Sequence, residues 1–490
     1  MAGKNIVLAS TVILVSIVCC TGINLTVHAG GFKTVGTVTV GGQPNCLAYD
    51  SGKGEIFVQN HSDGTISIIS DSGNSVVATF PVGNYPQGMA YDSGKGEIFE
   101  SDLDDVGEVE GGAPVVRVIS DSNNSVVATI PNAIGNLAYD SAKGEVFVNH
   151  YTTDDVWVIS DKSNNPIASI PVGFFPTDIV YDSGRGEIWV DNGSYSVSII
   201  SDATNRVVGT INVGSQPWGF FSNMAYDPEK GEIFLTSMES VIVISDSNRT
   251  QVASVPASAP ISVAYAPGRG EVYVANYNSN TTSVISDADN RIVQNIPVDF
   301  PTAVVYDSGK DEIFVANGGL VPITGFVGTS VTILTPQLVV PSVFSSANSV
   351  ATGGNTTLTS AVDGGVLPYK YQWYVLAPKN SSFSRANNGT SLSYQFKTLK
   401  SSPKGNWTFV LQVTDSTGAS VNSTSTTITV NPLARSTGLP EFNFVGIILI
   451  TGAILALSLL TFALLLKKAK NTSDHAGGNN ETWNTRSDKI

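Results

Sequence analysis

The side chains here that could do chemistry are carboxylates, aromatics and two imidazoles. Between positions 100 and 110 stand Glu100, Asp102, Asp104, Asp105, Glu108 and Glu110. Hard oxygen donors this closely spaced suit a calcium ion. Asp102, Asp104, Asp105 and Glu108 are the candidate ligands, and calcium is the single cofactor that the sequence raises. The run departs from calcium-loop spacing at Val106, where Asp or Asn is expected, and a solvated acidic loop is the simpler reading. His61 and His150 lie to either side of it in the chain. Together they would form a mixed imidazole and carboxylate metal site, although two surface histidines account for them as simply.

The aromatic candidates are Trp218, Phe220 and Phe221, with Tyr85, Phe174, Phe175 and Phe300, several beside Pro86, Pro176, Pro217 or Pro301. Exposed, such rings stack on a sugar or grip a peptide; buried, they fill gaps between elements. Covalent chemistry has less support. No haem-attachment motif, phosphate-binding Gly loop or nucleophile elbow occurs. Removal of an N-terminal leader leaves only Cys46, which excludes an internal disulfide and a cysteine zinc site.

These residues must be positioned by a repeat. Tyr-Asp-Ser-Gly-Lys-Gly-Glu, or a close variant, begins at Tyr49, Tyr91, Tyr139, Tyr181, Tyr226, Tyr265 and Tyr306. A period near about forty residues signals stacked similar units. Each unit reads as four short strands, with Glu55 to Val58 alternating as a half-buried strand does, and Ile-Ser-Asp closing the third strand at Ile69, Ile119, Ile159, Ile200, Ile244 and Ile285. Four strands per repeat make a propeller blade. The last repeat has three strands, and Thr37–Val40 supplies the fourth, so seven blades close into a ring over 36–335.

Val272-Tyr273-Val274-Ala275-Asn276 and Ile313-Phe314-Val315-Ala316-Asn317, with looser versions ending at Asn60, Asn149 and Asn192, resemble the YVTN-type propellers of microbial surface and periplasmic proteins. Blades two and five depart from the pattern, at Glu100-Ser101-Asp102 and Leu235-Thr236-Ser237. The resemblance implies the fold and a prokaryotic, surface-layer-like context; activity does not follow from it. From 338 to 432, alternating strands with Gly364-Gly365, Pro368-Tyr369, Tyr371-Gln372-Trp373 and Val413-Thr414-Asp415 resemble PKD and immunoglobulin-like modules. That implies a β-sandwich stalk with Trp373 in its core, without the Asp-Gly that usually follows the tryptophan.

The ends speak of address. Residues 1–29 read as a signal peptide, and an uncleaved anchor is the alternative. After a linker at 433–443, the apolar run 444–466 is long enough to span a bilayer. Lys467, Lys468 and Lys470 open a tail, 467–490, that the positive-inside rule places in the cytoplasm. Everything before the span is then outside the cell membrane. A formal charge of −15 disfavours nucleic acid. Sequons at Asn60, Asn123, Asn192, Asn248, Asn280, Asn355, Asn380, Asn388, Asn406 and Asn422 are glycosylation candidates, although a chain this rich in Asn, Ser and Thr also produces such triplets by chance.

The expectation is an all-β, single-pass membrane protein: a seven-bladed β-propeller, a sandwich stalk and one C-terminal helix. Near-identical turns crowd one propeller face, and the variation falls on the other. Variable loops on a rigid scaffold favour binding, so the leading function is recognition, adhesion or an envelope-structural role toward an extracellular protein, a glycan or other envelope proteins. The alternative is a membrane-tethered hydrolase of lactonase type, or an oxidoreductase, working at the channel mouth.

Overall fold

The computed structural model describes residues 31–104, 113–193, 195–214, 222–321, 326–362, 364–366 and 368–433. The segments read above as a signal peptide (1–29), a membrane span (444–466) and a tail (467–490) lie outside them. Among the described residues no helix is long and apolar enough to cross a membrane.

Seven four-stranded antiparallel sheets follow one another along the chain. Blade one shows the plan. Its strands are Pro44–Asp50, Glu55–Asn60, Thr65–Ser70 and Ser75–Pro81, paired in chain order from the innermost outward. The innermost strands pack against one another in sequence, and blade seven packs back on blade one. The molecule is a β-propeller.

The second strands are not half-buried, as the alternation around Glu55 suggests. Ile56, Phe57 and Val58 are all fully buried, as are Ile66, Ile68 and Ile69 of the third strand. Blades stack face to face, so the two middle strands are covered on both sides and read as continuous apolar runs. Each core therefore belongs to a junction rather than to a blade. Ala48, Phe57, Ile66 and Ile68 of blade one pack with Met89, Ile98 and Ile119 of blade two. At the last junction, Val38, Phe314, Val331 and Ile333 meet Ile56, Val58 and Ile69.

The ring closes as the sequence implies, with a longer strand. Phe32–Thr39 pairs antiparallel with Ser330–Pro336, from Phe32↔Pro336 to Thr39↔Ser330. It reaches back to Phe32 because that ring is buried, edge-on to Tyr273 with centroids 5.2 Å apart. Every outermost strand carries a bulge. Val35, Val77, Val127, Ile167, Val208, Val252 and Val293 are the extra residues, each skipped by the register of the third strand. Bulges kink and twist the only edges a propeller exposes, which discourages pairing with another chain.

Beyond the propeller, Lys370–Leu376 pairs antiparallel with Gly405–Thr414, and Ser342–Ser345 with Asn355–Ala361. Trp373 is fully buried, as its sequence context suggests; its Nε1 donates to the Ser391 carbonyl at 2.9 Å and its ring stacks on Tyr394. Separately, Ser349–Ala351 runs parallel to Thr429–Asn431.

Candidate functional site

The recurring phrase builds one propeller face, and its charges are spent on structure. Asp50 Oδ1 accepts hydrogen bonds from the Gly52 and Lys53 amides at 2.8 and 3.1 Å. Burial and a hydrogen bond to Asp50 push the Tyr91 hydroxyl of the next blade well above its ordinary range. Lys53 Nζ crosses to blade two, donating to the Asp121 carbonyl beside the Asp121 carboxylate. Gly54 takes a φ of 67°, and a Cβ there would fall 2.4 Å from Asp71. The same staple joins Lys95 to Asp161, Lys143 to Asp202, Lys230 to Asp287 and, closing the ring, Lys310 to Asp71. Blade six departs, with Ala266 in place of the aspartate. There Arg269 pairs with Glu271 at 2.7 Å and Asp311 at 2.9 Å, and lies over the Phe32 ring.

The opposite face is built by the second-to-third turns and the links between blades. Among the described residues, five links place a left-handed residue directly before proline: Gln43, Tyr85, Phe175, Ala259 and Phe300, with φ between 45° and 60°. Non-glycine residues seldom adopt this region, and a following proline disfavours helical backbone further. Bonds on both sides hold the geometry. Phe175 N donates to Asp154 Oδ1 of the preceding blade, and the Phe175 carbonyl accepts from Gly193 N of its own. Phe300 is held likewise by Asn280 and Gly319.

Of the aromatic candidates, Tyr85 and Phe174 are exposed, at 55% and 68%. Phe175 and Phe300 are half-buried. Phe174, Phe175 and Tyr151 form a chain of rings with centroid spacings of 6.1 and 5.9 Å. Trp218, Phe220 and Phe221 lie outside the described residues.

The acidic run divides. Asp105 and Glu108 lie outside the described residues, and Asp104 ends the second strand of blade two. Asp102 is fully buried and bonded to Arg117, so its charge is taken by a cation inside the blade. Arg117 also faces the buried Glu100 at 3.8 Å, and Gln59 Nε2 of blade one donates to Glu100 Oε1 at 2.8 Å. Burial raises the Glu100 carboxyl to about 7 despite the guanidinium. Blades one, four, six and seven have no such pair. There Asn60, Asn192, Asn276 and Asn317 donate to two third-strand hydroxyls, as Asn276 Nδ2 does to Ser283 at 2.7 Å and Thr281 at 3.3 Å. In blade three His150 takes the same position, 3.4 Å from Asp155 and edge-on to Trp157. His61 instead meets Tyr85 and the Pro86 carbonyl. Among the described residues no group of three His, Cys, Asp or Glu side chains is placed to hold a metal.

Two sequons need correction on geometry. Asn60 and Asn192 are fully buried, with the amide nitrogen that would carry sugar donating to Ser67 and Ser198. Asn280 is half-buried; Asn123, Asn248, Asn355, Asn380, Asn388, Asn406 and Asn422 are exposed.

The innermost strands hold what sequence reading missed. In blades four, five and six the residue three before the repeat tyrosine stitches the innermost strand to that of the next blade. Asp178 accepts from Met224 N at 2.5 Å, Asn223 from Val263 N at 2.8 Å and Ser262 from Val304 N at 3.1 Å. Burial holds Asp178 well above the usual carboxylate range and Asp191 up to about 7; burial likewise pushes the Cys46 thiol up to about 12. Thr177 Oγ1 lies 3.0 Å from Asp191 Oδ2 and 2.7 Å from Ser222 Oγ. In front of Thr177 opens a small polar cavity bounded by Gln87, Asn136, Asn149, Tyr151 and Pro176.

No protein-family model matches the chain. It is similar to YncE, an uncharacterised protein of Salmonella typhi, at 23% identity over 155 residues, which is 30% of this chain and 43% of that protein. The chain thus spans less than half the length of the curated relative it matches. Among solved structures, the β-propeller domain of Cps50 (Swd1) from Myceliophteria thermophila superposes with a TM-score of 0.51 at 9% identity, covering 62% of this chain and 99% of that one. Hydrazine synthase of Kuenenia stuttgartiensis gives 0.48 at 15%, covering 59% and 95%. At these identities the likeness to Cps50 extends to the fold alone, and that to hydrazine synthase carries no argument.

Proposed function

We propose that this chain is a non-enzymatic surface propeller that recognises a ligand through the face opposite its staples. The observation that carries the reading is the division of labour between faces. One face spends its repeated charges on joining blades, whereas the other presents Tyr85 and Phe174 to solvent, Phe174 directly before Phe175, whose amide and carbonyl are both bonded. Rigidly held, exposed aromatics give contact area at little entropic cost. In this reading residues 338–432 are a PKD or immunoglobulin-like stalk, 444–466 a membrane anchor, and the propeller is an extracellular glycoprotein acting in adhesion or in a surface layer, with YVTN-type repeats. The exposed sequons and the acidic charge suit such a setting.

The test is capture from envelope extract by the full-length chain in detergent, compared with a Tyr85→Ala/Phe174→Ala chain and read by mass spectrometry. A protein or glycoconjugate retained by the parent and lost by the variant, with unfolding unchanged, supports recognition. Identical eluates would remove it.

The buried carboxyls Asp178 and Asp191 favour a second reading, a tethered hydrolase or oxidoreductase at the channel mouth. Asp178 already accepts a backbone amide and Asp191 a hydroxyl, an arrangement that suits a scaffold better than an acid–base pair. Turnover of a lactone or ester that Asp191→Asn abolishes would reverse that judgement.

A further inference from the structure

We infer that the polar cavity between blades two, three and four, with the aromatic ledge beside it, binds the hydroxyl-bearing edge of a neutral hexose, free or at the end of a glycan. The inference rests on the recognition reading and adds the ligand class.

The cavity walls carry three side-chain amides, Gln87, Asn136 and Asn149, with Thr177 and Tyr151. Amides both donate and accept, as a sugar's vicinal hydroxyls do. No charged side chain is among the lining residues, which argues against an ionic ligand. Two of the amides are fixed beforehand. Asn149 Nδ2 donates to the Pro176 carbonyl at 2.9 Å and Asn136 Nδ2 to the Thr177 carbonyl at 2.8 Å. The Asn149 side chain is 1% exposed, and its Oδ1 is buried and accepts no hydrogen bond. A buried acceptor left open costs stability, and a hydroxyl entering the cavity would satisfy it. Gly135 lets the backbones close up here and leaves this point open: a Cβ there would fall 1.7 Å from the Asn149 carbonyl oxygen and 2.6 Å from Asn149 Oδ1. The cavity is small and takes an edge rather than a ring, so the rest of the sugar must lie outside. There Tyr151, Phe175 and the exposed Phe174 offer faces against which the C–H side of a pyranose packs.

The experiment titrates the full-length chain with methyl glycosides of glucose, galactose, mannose and N-acetylglucosamine. It uses saturation-transfer NMR and calorimetry, with N-acetylneuraminate as the charged control and immobilised neutral oligosaccharides as the second arm. At least one neutral glycoside or oligosaccharide should bind and the acidic sugar should not. Binding only in the second arm identifies a glycan end as the ligand. Phe174→Ala, on an exposed side chain, should weaken binding about fivefold to tenfold, the size of one lost aromatic contact. Gly135→Ala should abolish it, and where that chain misfolds, Asn149→Ala read against Phe174→Ala serves instead. Failure of every neutral sugar, or binding indifferent to Phe174→Ala, overturns the inference. If envelope capture still depends on Tyr85 and Phe174 in that event, recognition stands and the ligand is not a sugar.

Discussion

At the scale of single residues, the propeller's unusual chemistry is buried rather than displayed. Asp191 ionises near 3.8 in an unfolded chain and is raised to about 7 by burial in the fold, so the native state keeps a proton that the unfolded chain releases. Its contribution is complete below the unfolded value and is lost as pH rises to the folded one. Stability should therefore decline between about pH 4 and 7, and Asp191→Asn should flatten that slope by up to about 1.4 kcal/mol per pH unit. Equal slopes in urea melts across that range would refute the assignment. The pair in blade two gives a second test. Arg117→Ala leaves Glu100 and Asp102 buried without their cation and should cost about 3–5 kcal/mol. The triple change Glu100→Val, Asp102→Asn, Arg117→Ser rewrites blade two in the pattern of Val58, Asn60 and Ser67 and should recover most of that loss. If the triple variant is as unstable as the single one, the cluster has a role that the repeat pattern does not contain.

At the scale of strands and turns, the amide clamp and the tyrosine staple carry unequal weight. Asn276 donates to two hydroxyls inside blade six, so Asn276→Ala should cost about 1–3 kcal/mol, the range for stranding buried partners. Tyr91→Phe should cost about 1 kcal/mol. Lys53→Ala should change stability by less than about 1 kcal/mol, because its ion pair is solvent-screened. Denaturant midpoints measured side by side would expose an inverted order. This contrast also explains what was legible. Tyr49, Asp50 and Gly54 recur so regularly that strand number, blade number and ring closure could be read directly. The partners could not, because they depend on register across sheets. Arg117 lies 15 residues from Asp102, and Gln59 lies 41 from Glu100 in another blade. The aromatic candidates were visible as residue types, yet only burial separates Phe174, which faces solvent, from Phe300, half-sunk at its link. The cavity draws on three blades, and no local window of sequence contains it.

At the scale of the molecule, stability is a property of the closed ring. Each core lies between blades, so a blade without a neighbour has no core of its own. Phe32→Ala would remove a buried ring from Tyr273 and Arg269 and should cost about 3–5 kcal/mol. Deleting 32–39 should do more, baring the edge of Ser330–Pro336 and the junction around Val331. The expected result is soluble aggregate by size-exclusion chromatography, with loss of a single unfolding transition; a monomer with unchanged unfolding would show that closure is dispensable. The pairing of Val38 with Val331 also sets an order in time. The strand made first finds its partner only after every other blade has been made, so it must wait, extended and unsatisfied, while six blades assemble beside it. A chain interrupted before Ser330 is then not a smaller propeller but a spiral with two live ends, and whatever shelters Phe32–Thr39 during synthesis decides how many chains become rings.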